Sequence, residues 1–149
     1  MPRPSRNIEV TLLQSGRELY AQRGGARLSV RALAEHAGVN LGMFHYHFKS
    51  KDAFLRQLLA GMYDEMFTQL SGQVAQSGPP LYRLHEALTV LARFVRGNTP
   101  LLGRVIADAA AGEAVAVDFI RTNAPRHLAV LLGLMEQAQA EGLLVPMPP

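Results

Sequence analysis

The chain has 149 residues, 48% of them apolar, with a formal charge of +3 and no cysteine. That length suits one ordinary domain, or a small and a medium helical one, and the apolar content is enough for a core. The absence of cysteine excludes a disulfide scaffold, a thiolate zinc site and a cysteine nucleophile.

The first segment, 7–23, places Ile8, Leu12, Leu19 and Tyr20 near one helical face, with Leu13 beside them. Gly24-Gly25 ends it, because glycine readily takes the left-handed conformation of a helix terminus. Ser29 is a good N-cap for a second helix carrying Val30, Leu33, Ala34 and Ala37, which Gly38 stops. Asn40 caps a third, short helix reaching Phe48, with Val39 and Phe44 at the positions of a hydrophobic staple. Ser50 opens a fourth, running to about Leu70, with Phe54, Leu55, Leu58, Leu59, Met62, Met66 and Phe67 on its apolar stripe.

Gln76-Ser77-Gly78-Pro79-Pro80 is the clearest break in the chain. Beyond it the spacing predicts a helix over 81–96, ended by Gly97-Asn98-Thr99-Pro100. A second follows over 100–111, a shorter one over 113–122, and a last one from Pro125 to Gly142. No strand pattern and no internal repeat is visible. No run reaches the ~18 consecutive apolar residues of a membrane span. The basic N-terminus is not followed by the apolar run of a secretory signal. The expectation is a soluble cytoplasmic protein of all-α class.

Charge is distributed unevenly. Residues 1–60 hold nine Lys/Arg against four acids, and the remainder holds six Arg against eight acids. A basic front half points to a polyanionic partner. The stretch Ser29 to Phe48 supplies the means. Two short helices meet at a turn centred on Gly38, with the small Ala34 where they cross. Val30, Leu33, Val39, Phe44 and Phe48 form the core between them. If Phe44 and Phe48 point inward, Leu41, Gly42, His45 and Tyr46 point out, on a ridge that fits a major groove ~12 Å wide. Gly42 lets the backbone approach, Leu41 and Met43 suit thymine methyl groups, and His45 and Tyr46 suit base edges or phosphates. Lys51 opens the fourth helix, where a cation opposes the helix dipole, so a phosphate partner explains it.

The run Ser-Val-Arg-x-Leu-Ala-x-x-Ala-Gly-Val-Asn-x-Gly-x-Phe-His-Tyr-His-Phe-x-Ser-Lys-Asp-x-Phe-Leu resembles the signature of TetR-family regulators. The amphipathic segment from Ile8 to Gly25 is similar to the family's first helix. The resemblance implies a helix-turn-helix DNA-binding head over 1–50, running into a connecting helix over 51–70. A helical effector-binding and dimerisation body would occupy 71–149. It implies contacts to DNA from Ser29, Arg31, Asn40, Leu41, Gly42, Met43, His45, Tyr46, His47 and Lys51. In this set Ser29 and Lys51 meet backbone phosphate, and Tyr46 and His47 meet phosphate or support the helix. Tyrosine is common in the family where His45 stands. An effector pocket in such a body would draw on Met62, Met66, Phe67, Leu88, Leu91, Leu102 and Ile106. The implied partners are double-stranded operator DNA, a small-molecule effector and a second copy of the chain. The implied role is a repressor released by that effector.

Family members usually continue with two more helices that form the dimer. The chain stops at Pro149, either as a shortened member or as a fragment. An alternative is a helical interaction module of the same fold without strong operator binding. A small helical enzyme ranks last, for want of a nucleophile, base and orienting group at defensible spacing. No cofactor is expected. His45 and His47, at i and i+2, lie on nearly opposite helix faces and do not suit a metal. His85-Glu86 and Asp64-Glu65 read as solvated faces. Gly24-Gly25 lacks the strand and the Gly-Lys-Ser/Thr of a phosphate loop. Arg3 and Arg6 form a basic arm suited to a minor groove.

Overall fold

Apolar residues at helical spacing run through the whole chain, and a computed structural model of the protein places those among the described residues on six helices. The structure describes residues 4–146, with side chains from Asn7 onward. Helix α1 spans Pro4–Arg23, α2 Val30–Ala37, α3 Leu41–His47, α4 Lys51–Val74, α5 Pro80–Ala110 and α6 Ala114–Ala140. No strand occurs among the described residues. Arg3 and the Arg6 side chain, the expected basic arm, lie outside them.

Two compact units interleave along the chain. One takes the residues up to Gly61 together with Asn98–Ile120, and the other takes Met62–Gly97 together with Arg121 onward.

In the first unit α1 and α4 approach closely at Gly16. A Cβ there would lie 2.5 Å from Leu58 Cδ1 and 2.6 Å from Phe54 Cζ, so no larger residue fits without repacking. Leu12, Leu19, Leu33, Phe44, Phe54, Leu58 and Leu59 are buried here. Three rings form the centre. Phe44 and Phe48 of the α3 region both meet Phe54 of α4, with centroids 5.5 and 4.8 Å apart, and lie 5.5 Å from each other. Their tilted and edge-on geometry suits the ring quadrupoles.

In the second unit Met62, Tyr63, Met66 and Leu70 are buried, as are Ala87, Val90, Leu134 and Ala138. Arg83 caps the end of α4 by donating from Nε and Nη2 to the Val74 carbonyl, at 2.9 and 2.6 Å.

Of the two breaks expected at prolines, one is present and the other is not. The break expected at 97–100 is present as a kink within α5, where two helical segments meet at Asn98, with φ −124° and ψ 16°. Pro100 follows within the first turn after it, where a missing N–H breaks little and the irregular residue makes room for the ring. The two helices expected over 113–122 and from Pro125 are a single helix, α6, with Pro125 inside it. The turn around that proline is pinned from the side. The Tyr63 hydroxyl donates to the Asn123 carbonyl at 2.8 Å, and Arg126 donates to Asn123 Oδ1 at 3.1 Å. Arg126 also lies 5.0 Å above the Tyr63 ring centroid and 4.3 Å above that of Phe67. Tertiary contacts thus carry the helix past a residue that disfavours it.

Truncating Phe44, fully buried at the centre of the ring cluster, is expected to cost about 3–5 kcal/mol. Urea unfolding of Phe44→Ala against the wild type would read this as a lower midpoint.

Candidate nucleic-acid interface

Each of the three helices around the turn begins on a side-chain cap. Ser29 Oγ accepts from Ala32 N–H at 3.1 Å, Asn40 Oδ1 from Met43 N–H at 2.9 Å, and Ser50 Oγ from Ala53 N–H at 3.1 Å. These caps satisfy donors that the helix itself cannot. Gly38 ends α2 at φ 68°, a left-handed value that favours glycine, and its N–H reaches the Ala34 and Glu35 carbonyls. The Val39 N–H then bonds the Ala34 carbonyl at 3.0 Å, which completes the turn. The geometry is that of a helix-turn-helix with both helices locally stopped and started.

Phe44 and Phe48 face the core, so the other side of α3 faces out. Leu41, Gly42, His45 and Tyr46 are exposed, Tyr46 to 77%, and Met43 is half-buried. Arg31 on α2 is exposed, as are Ser29 and Asn40. The structure therefore gathers nine of the ten expected contact residues around one turn and its two helices. His45 leans its ring edge on Phe44 at 5.5 Å while staying exposed.

His47 differs from its neighbours. Its side chain is only 8% exposed, and its Nδ1 lies 4.0 Å from Glu9 Oε2 of α1. Its Nε2 is buried without a hydrogen-bond partner. Glu9 is held in turn by the Gln57 amide, which donates to Oε1 at 2.7 Å. That geometry suits the supporting role. Exposed Arg27 and Lys49 flank the same turn, and neither was singled out from the sequence.

Lys51 is half-buried and reaches back to the loop between α1 and α2. Its ammonium donates to the carbonyls of Gly25 at 3.2 Å and Ala26 at 3.4 Å. These carbonyls give the cation protein partners at the helix start. Beside it runs a narrow cleft lined by Tyr20, Lys51, Asp52, Asp108 and Glu113 among others. Asp108 Oδ2 accepts both the Tyr20 hydroxyl and the Gly25 N–H, each at 2.8 Å. Asp108 lies more than 80 residues from the atoms it holds, and no local pattern marks it.

The seven residues expected around an effector are spread over both units. Met62 and Met66 are buried core residues, and Phe67 stacks against Tyr63 with centroids 5.8 Å apart. Leu91 and Leu102 are half-buried, whereas Leu88 and Ile106 are exposed to 49% and 63%. None of the seven lines the cleft beside Lys51. Among the described residues no group of three His, Asp or Glu is placed to hold a metal. No helix there is long and apolar enough to cross a membrane.

The model of bacterial regulatory proteins of the tetR family matches residues 12–58, the span that carries the turn and its flanking helices. The head belongs to the TetR family. The TetR head is similar to curated relatives. Nucleoid occlusion factor SlmA of a Marinomonas species is 28% identical over 102 residues, which cover 68% of this chain and 52% of that protein. An HTH-type transcriptional repressor of Mycobacterium tuberculosis is 31% identical over 105 residues, covering 68% and 53%. The chain spans about half the length of each. The solved structure of the TetR-family transcriptional regulator PfmR from Thermus thermophilus superposes with a TM-score of 0.71. Its identity is 17%, over 92% of this chain and 75% of that one, and the likeness is one of fold. The all-helical architecture, a TetR head followed by a helical body, agrees with that expected from the sequence.

Burial of Tyr20, helped by the adjoining Asp108 carboxylate, raises its hydroxyl pKa well above the usual tyrosine value. Tyr63 is raised too, by burial, with Arg126 opposing. A folded pKa above the unfolded value of about 10 gives stability that is complete below pH ~10 and lost as pH rises further. Melting temperatures taken from about pH 8 to pH 11 should fall on the alkaline side. Tyr20→Phe should shrink that fall, leaving the part that belongs to Tyr63.

Proposed function

We propose that the chain is a sequence-specific DNA-binding transcriptional regulator. The observation that carries this reading is the exposed face of α3, with Leu41, Gly42, His45 and Tyr46 turned outward. That helix is pinned from behind by Phe44 and Phe48. Its apolar residues suit thymine methyl groups, and His45 and Tyr46 suit base edges or phosphate oxygens. Ser29, Arg31 and Lys51 lie where phosphate contacts would fix the register, with Asn40 at the start of the reading helix.

In this reading a homodimer sets two copies of α3 against a near-palindromic site, one helical turn or a multiple apart. The mycobacterial relative is named as a repressor, which supports negative regulation. A small apolar or amphipathic effector bound in the helical body, near Met62, Met66, Phe67, Leu88, Leu91, Leu102 or Ile106, releases the operator. It does so by binding one of two states more tightly. Nothing in the head suggests catalysis, and the reading needs no cofactor.

Sedimentation of the chain with duplex DNA from its own upstream region, at two salt concentrations, tests the proposal. A dimer whose binding weakens steeply with salt supports it, and a chain without DNA affinity at low salt sinks it. Tyr46→Ala and Lys51→Ala should each weaken binding by roughly 1.5–3 kcal/mol, the worth of a hydrogen bond to a charged group. Circular dichroism should stay unchanged. Lys51→Ala should also lower the salt slope by about one, as for one lost phosphate contact.

A further inference from the structure

Lys51 has three N–H donors, and two of them are engaged by the carbonyls of Gly25 and Ala26. The ammonium is therefore held at the mouth of the α1–α2 loop with one donor to spare. What holds the loop is less local. The Gly25 carbonyl accepts from both Leu28 N–H and Lys51, each at 3.2 Å, so its two lone pairs are used. On the other side of the same residue, the Gly25 N–H donates to Asp108 Oδ2 at 2.8 Å. The Tyr20 hydroxyl, in the last turn of α1, donates to the same oxygen. A single carboxylate of α5 thus fixes both the end of α1 and the first peptide of the loop. Arg104 adds a second tie, donating to the Gln22 carbonyl at 3.0 Å.

We infer that Asp108 is a positioning residue for phosphate binding, holding the Gly25–Ala26 turn whose carbonyls hold the Lys51 ammonium in place. The inference rests on the DNA-binding reading above and adds a residue outside the helix-turn-helix motif. A lysine has a long, flexible stem, and an unheld ammonium loses much rotamer freedom when it meets a phosphate. Here two carbonyls restrict it beforehand, so less is lost on contact. The Asp108 carboxylate is suited to the task because its hydrogen bonds are charge-assisted, and one oxygen serves two donors from different parts of the chain. Without it the Gly25 N–H and the Tyr20 hydroxyl lose their acceptor together.

The test is a double-mutant cycle on the full chain, using a mixed-sequence duplex, since phosphate contacts are independent of sequence. Wild type, Asp108→Ala, Lys51→Ala and the double variant are titrated by fluorescence anisotropy over a range of salt. Asp108→Ala is expected to weaken binding about tenfold and to lower the salt slope by about one. In the Lys51→Ala background it should change neither. A merely structural role would lower affinity equally in both backgrounds. The Gly25 amide resonance reports the clamp directly and should move upfield when the carboxylate is lost. Asp108→Asn, which keeps the side-chain volume, serves if the alanine variant does not fold, with a smaller loss and the same dependence on Lys51.

Losses that multiply in the double variant would overturn the inference. So would wild-type affinity and slope in Asp108→Ala with the Gly25 resonance displaced. A wild type with no salt-dependent affinity would overturn the DNA-binding reading, and the inference with it. A wild type that binds, with independent losses, overturns the inference alone.

Discussion

Two turns of helix do not hold themselves together in water, and α3 has only seven residues. Its shape depends on what its inner side rests against, the ring cluster of Phe44, Phe48 and Phe54. That cluster joins the short helix to the longer α4, and through Phe54 it lies under the closest approach of α1 at Gly16. Once Phe44 and Phe48 are directed inward, helical geometry turns Leu41, Gly42, His45 and Tyr46 the other way. The exposure of the outer face of α3 and the stability of the head are two results of one packing constraint.

Exposed ion pairs do little to hold the head together. Arg56 and Asp118, for example, pair on half-exposed side chains, where such a pair is worth about 0–1 kcal/mol. The helix starts are capped by short neutral side chains, Ser29, Asn40 and Ser50, rather than by carboxylates. A head stabilised by burial and neutral caps leaves Arg27, Arg31 and Lys49 exposed at its surface. That arrangement is compatible with a polyanionic partner, whose attraction falls off steeply as salt rises.

The parts of this structure that were legible in the sequence are those whose physics is local. Ser29, Asn40 and Gly38 announce helix ends because a cap or a left-handed residue acts within three or four positions. Phe44 and Phe48 announce an inner face because four residues make about one turn. Pro100 marks a break that is present as the kink at Asn98, whereas Pro125 misled for the converse reason. Its local preference is to stop a helix, but Tyr63 and Arg126 brace the turn around it. Lys51 was legible as an unusual cation at a helix start, but its carbonyl partners on the loop after α1 were not. Asp108 was wholly illegible, since its partners lie 83 and 88 positions away.

That distance also bears on how the protein is made. A ribosome releases the chain from its N-terminus, and domains tend to fold as they emerge. The residues of α1 to α3 and the first turns of α4 can meet early, since all lie within the first sixty or so. The Tyr20 hydroxyl and the Gly25 N–H have no acceptor in Asp108 until residue 108 has also been synthesised. The ring cluster thus draws only on residues made early, and the clasp on the first loop needs a residue made much later. A length of chain cut at the Gln76–Pro80 break would contain the whole motif yet lack that clasp.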